Sequence, residues 1–228
     1  YQNMNELTAV VIGATGLTGS LLLQELLKDK DYKTVRILVR RNVNVSHPKL
    51  EQEIVDFNDI DDYTKKFGEG DVIFSCIGTT QKNVKGDKAL YEKIDLDIPV
   101  NAAKIGISKN YKKFLIVSAI GANENASNFY LRLKGRTEKT LKENPFVSLS
   151  IFQPSLINGK RNENRTGEAI AQTVMDLLSF LLLGPLEKYR AIGANNIARA
   201  MVNESKQQRT GVNYYRYNEM MDLARLSL

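Results

Sequence analysis

Three side chains in the middle of the sequence could together move a proton to or from an oxygen bound to carbon. Tyr130 and Lys134 have the spacing of residues that share one face of a helix. A tyrosine phenol ordinarily ionises only at about pH 10, and a neighbouring ammonium group stabilises the phenolate. We therefore expect Tyr130 to act as general acid or base on a carbonyl or alcohol, with Ser118 donating a hydrogen bond to the same oxygen.

The position of these residues in the sequence favours a joint catalytic role over a chance pairing of tyrosine and lysine on a helix surface. Ser118 follows the apolar run Phe114–Val117, which predicts a buried strand, and Tyr130–Glu143 has the apolar spacing of a helix. Ser127 is the alternative hydroxyl, and it ranks second because it lies in an expected loop. We therefore predict that Ser118 acts together with the tyrosine and the lysine.

A glycine-rich turn near the start of the chain predicts a binding site for the pyrophosphate of a dinucleotide. Gly13, Gly16 and Gly19 follow the apolar run Leu7–Ile12 and open a stretch with helical spacing. The first glycine permits a tight turn, the second a close approach of backbone to phosphate, and the third close packing of the helix. Free N–H groups and the helix dipole would hold the phosphate. A structural turn that is merely rich in glycine is the alternative.

Residues at the ends of later strands indicate which dinucleotide binds. Arg40 and Arg41 follow the expected strand Val35–Val39, where proteins that prefer NAD place an acidic residue for the ribose 2′-hydroxyl. Two guanidinium groups suit a 2′-phosphate, so we expect NADP in preference to NAD, with two solvated arginines as the alternative. Asp56 could accept a hydrogen bond from the adenine amino group, and Gly78 would let the backbone approach the cofactor.

Strands and helices alternate along most of the chain, which predicts an α/β fold with a doubly wound parallel (Rossmann) sheet. We treat residues 1–228 as a single NAD(P)-binding domain, in which residues 155–228 contribute a small C-terminal lobe on the substrate side. The apolar segment Leu177–Leu186 lies in that tail, and a packed helix explains it better than a substrate cleft or a membrane-docking surface. The other expected elements are strands over Glu53–Asp56, Asp71–Ile77, Ser148–Phe152 and Val212–Tyr217, and helices over Asp59–Phe67, Lys88–Ile105, Glu168–Leu183 and Asn195–Glu204.

Composition argues against several other classes of protein. The chain has 228 residues, of which 43% are apolar, enough for a sizeable core. Its net charge is +6, but the basic residues are scattered among acids, so we expect no nucleic-acid partner. Cys76 is the single cysteine, which excludes an internal disulfide and argues against a metal site. The single histidine, His47, lies in a polar stretch, which argues against a Ser-His-Asp mechanism.

The sequence shows neither a signal peptide nor a segment that spans a membrane. The most apolar stretch, Leu177–Leu186, is too short to cross a bilayer and contains Gly184-Pro185. We therefore expect a cytoplasmic protein with no integral membrane association.

Taken together, these features resemble an atypical short-chain dehydrogenase/reductase, and more narrowly the Tat-interacting-protein type, over almost the full length. The glycine turn and the Tyr/Lys pair are shared by the whole superfamily, whereas Cys76–Thr80 and Ser127–Leu131 are more specific to this group. The resemblance is also carried by Val55–Phe57 with Asp61–Tyr63, by Lys134-Gly135, by Phe152-x-Pro154 and by Arg165-x-Gly167-Glu168.

The resemblance implies a Rossmann domain, NADPH binding and a Ser/Tyr/Lys active site formed by Ser118, Tyr130 and Lys134. Gln153 and Ser155 depart from the Arg-Pro-Gly pattern that this family carries near the nicotinamide. By the same resemblance, the residues at the cofactor are Gly13, Thr15, Gly16, Leu17, Arg40, Arg41, Gly78 and, beside the nicotinamide, Pro154.

The preferred function is an NADP(H)-dependent oxidoreductase that transfers hydride to or from a small carbonyl or alcohol substrate. A non-catalytic NADPH-binding regulator of a partner protein is the main alternative, although such regulators often lack the Tyr/Lys pair. A nucleotide-sugar epimerase or dehydratase is less favoured, because those chains usually carry a larger C-terminal domain. The sequence leaves open whether the chain forms a homodimer.

Overall fold

The fold is built on a parallel sheet of seven strands, and the computed structural model describes residues 6–79, 83–159 and 184–226. Its strand order is β3-β2-β1-β4-β5-β6-β9, and every neighbouring pair is parallel. The order reverses between β1 and β4, where ligands bind in open α/β sheets. The strands are β1 (Leu7–Ile12), β2 (Tyr32–Val39), β3 (Leu50–Ile54), β4 (Val72–Ser75), β5 (Lys113–Val117), β6 (Ser148–Phe152), the separate short pair β7 (Ile157–Asn158) and β8 (Ile192–Gly193), and β9 (Gly211–Tyr215).

Helices cover both faces of this sheet, so the predicted doubly wound Rossmann fold is confirmed. On one face, Leu22, Leu26 and Met201 belong to the hydrophobic core, and on the other face Tyr63 and Phe67 do. The central strands β1, β4 and β5 are buried between the two layers, which explains their nearly continuous apolar sequences. The helices are α1 (Leu17–Lys28), α2 (Ile60–Phe67), α3 (Lys88–Glu92), α4 (Ile98–Ser108), α5 (Phe129–Lys142), α6 (Ala194–Ser205) and α7 (Tyr217–Arg225), with a 3₁₀ helix over Gly184–Tyr189.

The single helix predicted over Lys88–Ile105 is divided in the structure by one wide π-helical turn, Lys93–Asp97, between α3 and α4. Pro99 explains part of this difference, since it has no N–H to donate to the carbonyl oxygen of Asp95 four residues earlier. That oxygen instead accepts a hydrogen bond of 3.1 Å from the hydroxyl of Thr137 on α5. Short π-helical turns are frequent at functional sites, and this one carries a buried carboxylate.

The tail of the chain contributes to the main sheet. Its strand β9 extends the sheet beside β6, and α6 belongs to the helical layer that contains α1. The small lobe over residues 155–228 stays a prediction, because much of it lies outside the described residues. The helix expected over Glu168–Leu183, most of the apolar segment Leu177–Leu186, the stretch Arg165–Glu168 and Thr80 also lie outside them. Within the described ranges, no helix is both long and apolar enough to cross a membrane.

Candidate active site

The turn between β1 and α1 requires glycine at two of its three glycine positions. Gly13 has a φ of +82°, which side-chain-bearing residues rarely adopt, and a Cβ there would lie 2.6 Å from the backbone of Cys76 and Ile77. A Cβ at Gly19 would overlap the carbonyl oxygen of Gly13. These glycines therefore let the turn pack against the end of β4 and let α1 begin against the turn.

Gly16 and Gly78 differ, because the protein itself has room for a side chain at both. A Cβ at Gly16 would come no closer than 3.4 Å, to the oxygen of Gly13. At Gly78 the nearest atom would be Oδ1 of Asp95, at 3.6 Å. The fold therefore does not explain glycine at either position, whereas a ligand lying against the backbone would. Helix α1 also begins at Leu17 with no side chain capping its first N–H groups, as a phosphate cradle requires.

A cavity of about 620 Å³ lies at the ends of β2 and β3. Strand β2 is the neighbour of β1, the strand that leads into the glycine turn. Arg40 and Asp56 both line the cavity, and Arg41, which follows Arg40 in the sequence, is exposed. One carboxylate oxygen of Asp56 already accepts a hydrogen bond of 2.9 Å from the backbone of Asn58. The remaining lining residues are Ile54, Val55, Phe57, Asn58, Asp62, Lys66, Leu90, Lys93, Ile94 and Ile98.

Tyr130 and Lys134 lie together on the first turns of α5. The helix begins after Asn128, whose side chain accepts a hydrogen bond of 3.0 Å from the backbone of Leu131 and so fixes the start of the helix. The ammonium of Lys134 lies 5.8 Å from the centre of the Tyr130 ring. Lys134 is buried, whereas the tyrosine is 37% exposed, so the phenol can be reached from solvent and the ammonium is shielded from it.

A carboxylate that the sequence analysis missed accompanies this pair. Oδ1 of Asp95, in the π-helical turn, lies 2.9 Å from Nζ of Lys134, and its Oδ2 accepts a hydrogen bond of 2.9 Å from the backbone of Thr79. Burial alone lowers the pKa of Lys134, but the charge of Asp95, that of Tyr130 and the hydrogen bond to Asp95 outweigh it and raise the pKa. Lys134 is therefore held as a cation beside Tyr130.

The sequence did contain a signal for Asp95. Tyr91, Asp95, Ile98 and Ala102 have the spacing of one helical stripe, and all four are buried. A carboxylate within an otherwise apolar stripe needs a partner of opposite charge, so it marks a candidate site.

An aromatic side chain, Tyr91 on α3, also adjoins the ring of Tyr130. The ring of Tyr91 lies 6.4 Å from that of Tyr130 and 5.6 Å from that of Phe129. The hydroxyl of Tyr91 donates a hydrogen bond of 3.2 Å to the carbonyl oxygen of Thr79, which follows Gly78. This hydrogen bond joins the loop after β4 to α3, and the ring of Tyr91 in turn contacts the start of α5.

Ser118 follows the end of β5 and is buried, and its backbone N–H donates a hydrogen bond of 2.7 Å to the carbonyl oxygen of Phe152. Its hydroxyl donates a short hydrogen bond to the carboxylate of Glu138, one turn beyond Lys134 on α5. Gln153, which stands in place of the arginine of the family pattern, donates to both oxygens of the same carboxylate, at 2.9 and 3.2 Å. Glu138 was also missed, although its spacing from Lys134 places both residues on one helix face.

The remaining expected residues lie as follows. Thr15 is exposed in the glycine turn, and Leu17 is half-buried at the start of α1. Pro154 is buried after β6, and its carbonyl oxygen accepts a hydrogen bond of 3.0 Å from Ile120. Ser127, the alternative hydroxyl, is exposed. No group of three or more metal-binding side chains occurs in the part of the chain that the structure describes.

Comparison with known proteins decides the family. The family model described as NAD(P)H-binding matches residues 13–175. The chain belongs to this NAD(P)H-binding family. Among curated relatives, the rat (Rattus norvegicus) Protein HTATIP2 is 32% identical over 74% of this chain and 70% of its own length. Protein FMP52, mitochondrial, of Eremothecium gossypii is 34% identical over 71% of each chain. The resemblance stated from the sequence is confirmed.

Solved structures confirm the fold of this NAD(P)H-binding protein. A UDP-N-acetylglucosamine 4-epimerase of Methanobrevibacter ruminantium is 18% identical, with a TM-score of 0.69 over 93% of this chain and 77% of that one. The Bordetella bronchiseptica enzyme WbmH, solved with NAD⁺, is 14% identical, with a TM-score of 0.70 over 92% and 75%. These structures share the Rossmann-like fold of this chain.

The expected cytoplasmic location is wrong, because several of the relatives are proteins named as mitochondrial. A cellular address is read by receptors from targeting segments, and neither composition nor the lack of an apolar span reports it.

Proposed function

We propose that this protein is an NADP(H)-dependent oxidoreductase that acts on a carbonyl or alcohol substrate. The observation that carries the proposal is the exposed phenol of Tyr130 beside the buried, charged ammonium of Lys134. An ordinary surface pair of tyrosine and lysine would not place the ammonium in the protein interior with a dedicated carboxylate. The buried ion pair with Asp95 therefore favours a functional role for Lys134.

The cofactor site proposed here is the carboxyl edge of the sheet. Gly13, Gly16 and the uncapped start of α1 would hold the pyrophosphate, with Thr15 and Leu17 in the same turn. Gly78 would lie against the nicotinamide half, because its backbone is open and adjoins Asp95 and Lys134. Pro154, after β6, would border the nicotinamide. When bound, the nicotinamide cofactor supplies or accepts the hydride of the reaction.

We propose NADP rather than NAD because of the charge at the end of β2. Arg40 lines the cavity beside this strand end, and Arg41 is exposed next to it. Guanidinium groups form charge-assisted hydrogen bonds with phosphate, and no acidic residue follows β2 directly to bind a ribose 2′-hydroxyl. Asp56, in the same cavity, has a carboxylate oxygen that could accept from the adenine amino group.

The proton chemistry is assigned to Tyr130. Its phenol would give a proton to the substrate oxygen during reduction and take one back during oxidation. Lys134 would stabilise the phenolate through its charge, since Asp95 keeps the lysine protonated. Ser118 would hold the substrate oxygen by a hydrogen bond.

The test compares the wild type with Tyr130→Phe, which removes only the phenol oxygen. Binding of NADPH is measured by calorimetry, and its oxidation is followed with a panel of aldehydes and ketones. We expect Tyr130→Phe to lose about 100-fold or more in kcat, while the NADPH dissociation constant changes less than about threefold. The control is Tyr189→Phe, which removes the hydroxyl of an exposed tyrosine in the 3₁₀ helix and should keep full activity.

Two results would overturn the proposal. Full turnover by Tyr130→Phe on a substrate that the wild type reduces would remove the tyrosine from the chemistry. Tight NADPH binding by a wild type that reduces nothing in the panel would instead favour the regulatory alternative.

A further inference from the structure

The hydroxyl of Ser118 carries one proton, and the structure shows where that proton goes. It is donated to Oε1 of Glu138, a carboxylate on α5 that is buried behind the serine. We propose that Glu138 is a positioning residue that sets the direction in which the Ser118 hydroxyl donates. This rests on the proposed function, in which Ser118 donates to the substrate oxygen.

The proposal follows from the donor and acceptor capacities of the two groups. An ionised carboxylate only accepts hydrogen bonds. When Glu138 is ionised, the Ser118 hydroxyl therefore donates its hydrogen bond to Glu138 and has none left to donate to a substrate. A protonated carboxyl has an O–H to donate to Oγ of Ser118. The serine proton then points elsewhere, and it can be donated to an oxygen bound at the end of β5.

Gln153 fixes the carboxyl group for this purpose. Its Nε2 donates hydrogen bonds of 2.9 and 3.2 Å to the two carboxylate oxygens, and Gln153 is itself buried at the end of β6. Its backbone N–H donates a hydrogen bond of 2.7 Å to the carbonyl oxygen of Tyr215 on β9. The sheet therefore fixes the position of Gln153, and the side-chain amide of Gln153 keeps the Glu138 carboxyl group directed at Ser118.

The charges around Glu138 leave its protonated form accessible. Burial raises the pKa of the Glu138 carboxyl, and the hydrogen bonds from Gln153 and Ser118 and the charges of Lys142 and Lys134 offset this only in part. One of these cations, Lys134, is paired with Asp95.

Other charged groups face Glu138 across a polar cavity of about 470 Å³. Glu124, from the loop after β5, is paired with Lys139 of α5 at 2.7 Å, and Arg216 comes from the end of β9. The cavity gives Glu138 a route for exchanging protons with solvent that does not pass Tyr130. Its remaining lining residues are Ala122, Asn123, Gly135, Lys142, Gln153 and Tyr214.

The test measures the coupling between the two groups without any substrate. Infrared difference spectra between pH values follow the carboxylic acid band of Glu138, which Glu138→Gln identifies by removing it. In Ser118→Ala the band should titrate about one pH unit higher than in the wild type, because the hydrogen bond that the serine donates to the ionised carboxylate is stronger than the one it accepts from the protonated acid. The control is Glu124→Gln, which removes a carboxylate from the same cavity and should leave the band unchanged.

An unchanged titration of the band in Ser118→Ala would overturn the proposal. So would a wild-type protein in which Glu138 loses its carboxylic acid band within the pH range where an ordinary glutamate ionises. Ser118→Ala removes one oxygen and no charge, so it keeps the test valid if Glu138→Gln does not fold. If the band shifts as expected but no carbonyl is reduced, the proposed function fails while the coupling stands.

Activity gives a second readout where the panel yields a substrate. The kcat of the wild type should fall as Glu138 ionises, whereas Glu138→Gln should be flat over that pH range. In Glu138→Gln, the side-chain amide of Gln153 should donate to the carbonyl oxygen of the introduced side chain. The NH2 group of that side chain then donates to Ser118, as the O–H of the protonated acid would. The same fall in both proteins would contradict the proposal.

Discussion

Asp95 and Lys134 form an ion pair of 2.9 Å that joins the π-helical turn to α5, and both side chains are buried. Breaking one partner of a buried pair leaves the other charge without compensation, and this usually destabilises a protein by about 3–5 kcal/mol. The pair also explains how Lys134 stays charged in the interior. Stability and the proposed chemistry therefore depend on the same contact.

The first prediction concerns Asp95→Asn. The amide can still accept the hydrogen bond from the backbone of Thr79, so the loss comes mainly from the charge. We expect the free energy of unfolding, measured by urea denaturation, to fall by about 3 kcal/mol. Asp97→Asn is the matched control, because Asp97 is exposed at the end of the same turn and should change stability by less than about 0.5 kcal/mol. Equal effects of the two substitutions would show that the ion pair contributes nothing measurable.

The second prediction separates glycines that serve the fold from glycines that serve a ligand. Gly19→Ala places a Cβ onto the carbonyl oxygen of Gly13, so we expect a loss of about 1–3 kcal/mol in unfolding free energy. Gly16→Ala fits the apo protein and should change stability by less than about 1 kcal/mol. Its NADPH dissociation constant should nevertheless rise about tenfold or more, as measured by calorimetry. Unchanged NADPH affinity in Gly16→Ala would contradict a phosphate at this turn.

The sequence was sufficient to predict the fold and the Tyr130–Lys134 pair, because both depend on local spacing. The run Leu7–Ile12 and the glycines after it predict a strand, a turn and a helix, and the structure has all three. Residues four apart on a helix meet whatever the tertiary structure does.

The carboxylates of Asp95 and Glu138 were not predicted, because their roles depend on contacts between elements distant in sequence. The π-helical turn forms where Pro99 removes a hydrogen bond and Thr137 of another helix supplies a replacement. The strand near Val212–Tyr217 was predicted, but its place beside β6 was not. A single short strand does not specify its neighbour in a sheet.

The third prediction concerns the choice between NADPH and NADH. Arg40→Ala should weaken NADPH binding about tenfold or more and leave NADH binding unchanged, because the guanidinium would contact only the 2′-phosphate. Arg41→Ala should have the smaller effect, since Arg40 lines the cavity beside β2. Both dissociation constants are measured by calorimetry at one salt concentration, as charge interactions depend on it. Equal affinity of the wild type for NADPH and NADH would refute the argument from these arginines.

The fourth prediction is a pH dependence of stability that belongs to Glu138. Its pKa is raised in the folded protein by burial, so between the ordinary value of about 4.3 and the raised value the folded state binds more protons than the unfolded state. Raising the pH through this range therefore favours unfolding. Subtracting the unfolding free energy of Glu138→Gln from that of the wild type should give a difference that is largest below about pH 4.3 and falls as pH rises through the folded-state pKa. The control repeats this subtraction in a Glu124→Gln background, which lacks another carboxylate of the same cavity but keeps Glu138. The difference should decline there as it does in the wild-type background. A difference that stays flat would mean that folding leaves the pKa of Glu138 unchanged, and one that grows with pH would mean that the folded protein stabilises the ionised form. In either case Glu138 would be ionised near neutral pH, and the Ser118 hydroxyl would donate to the carboxylate there.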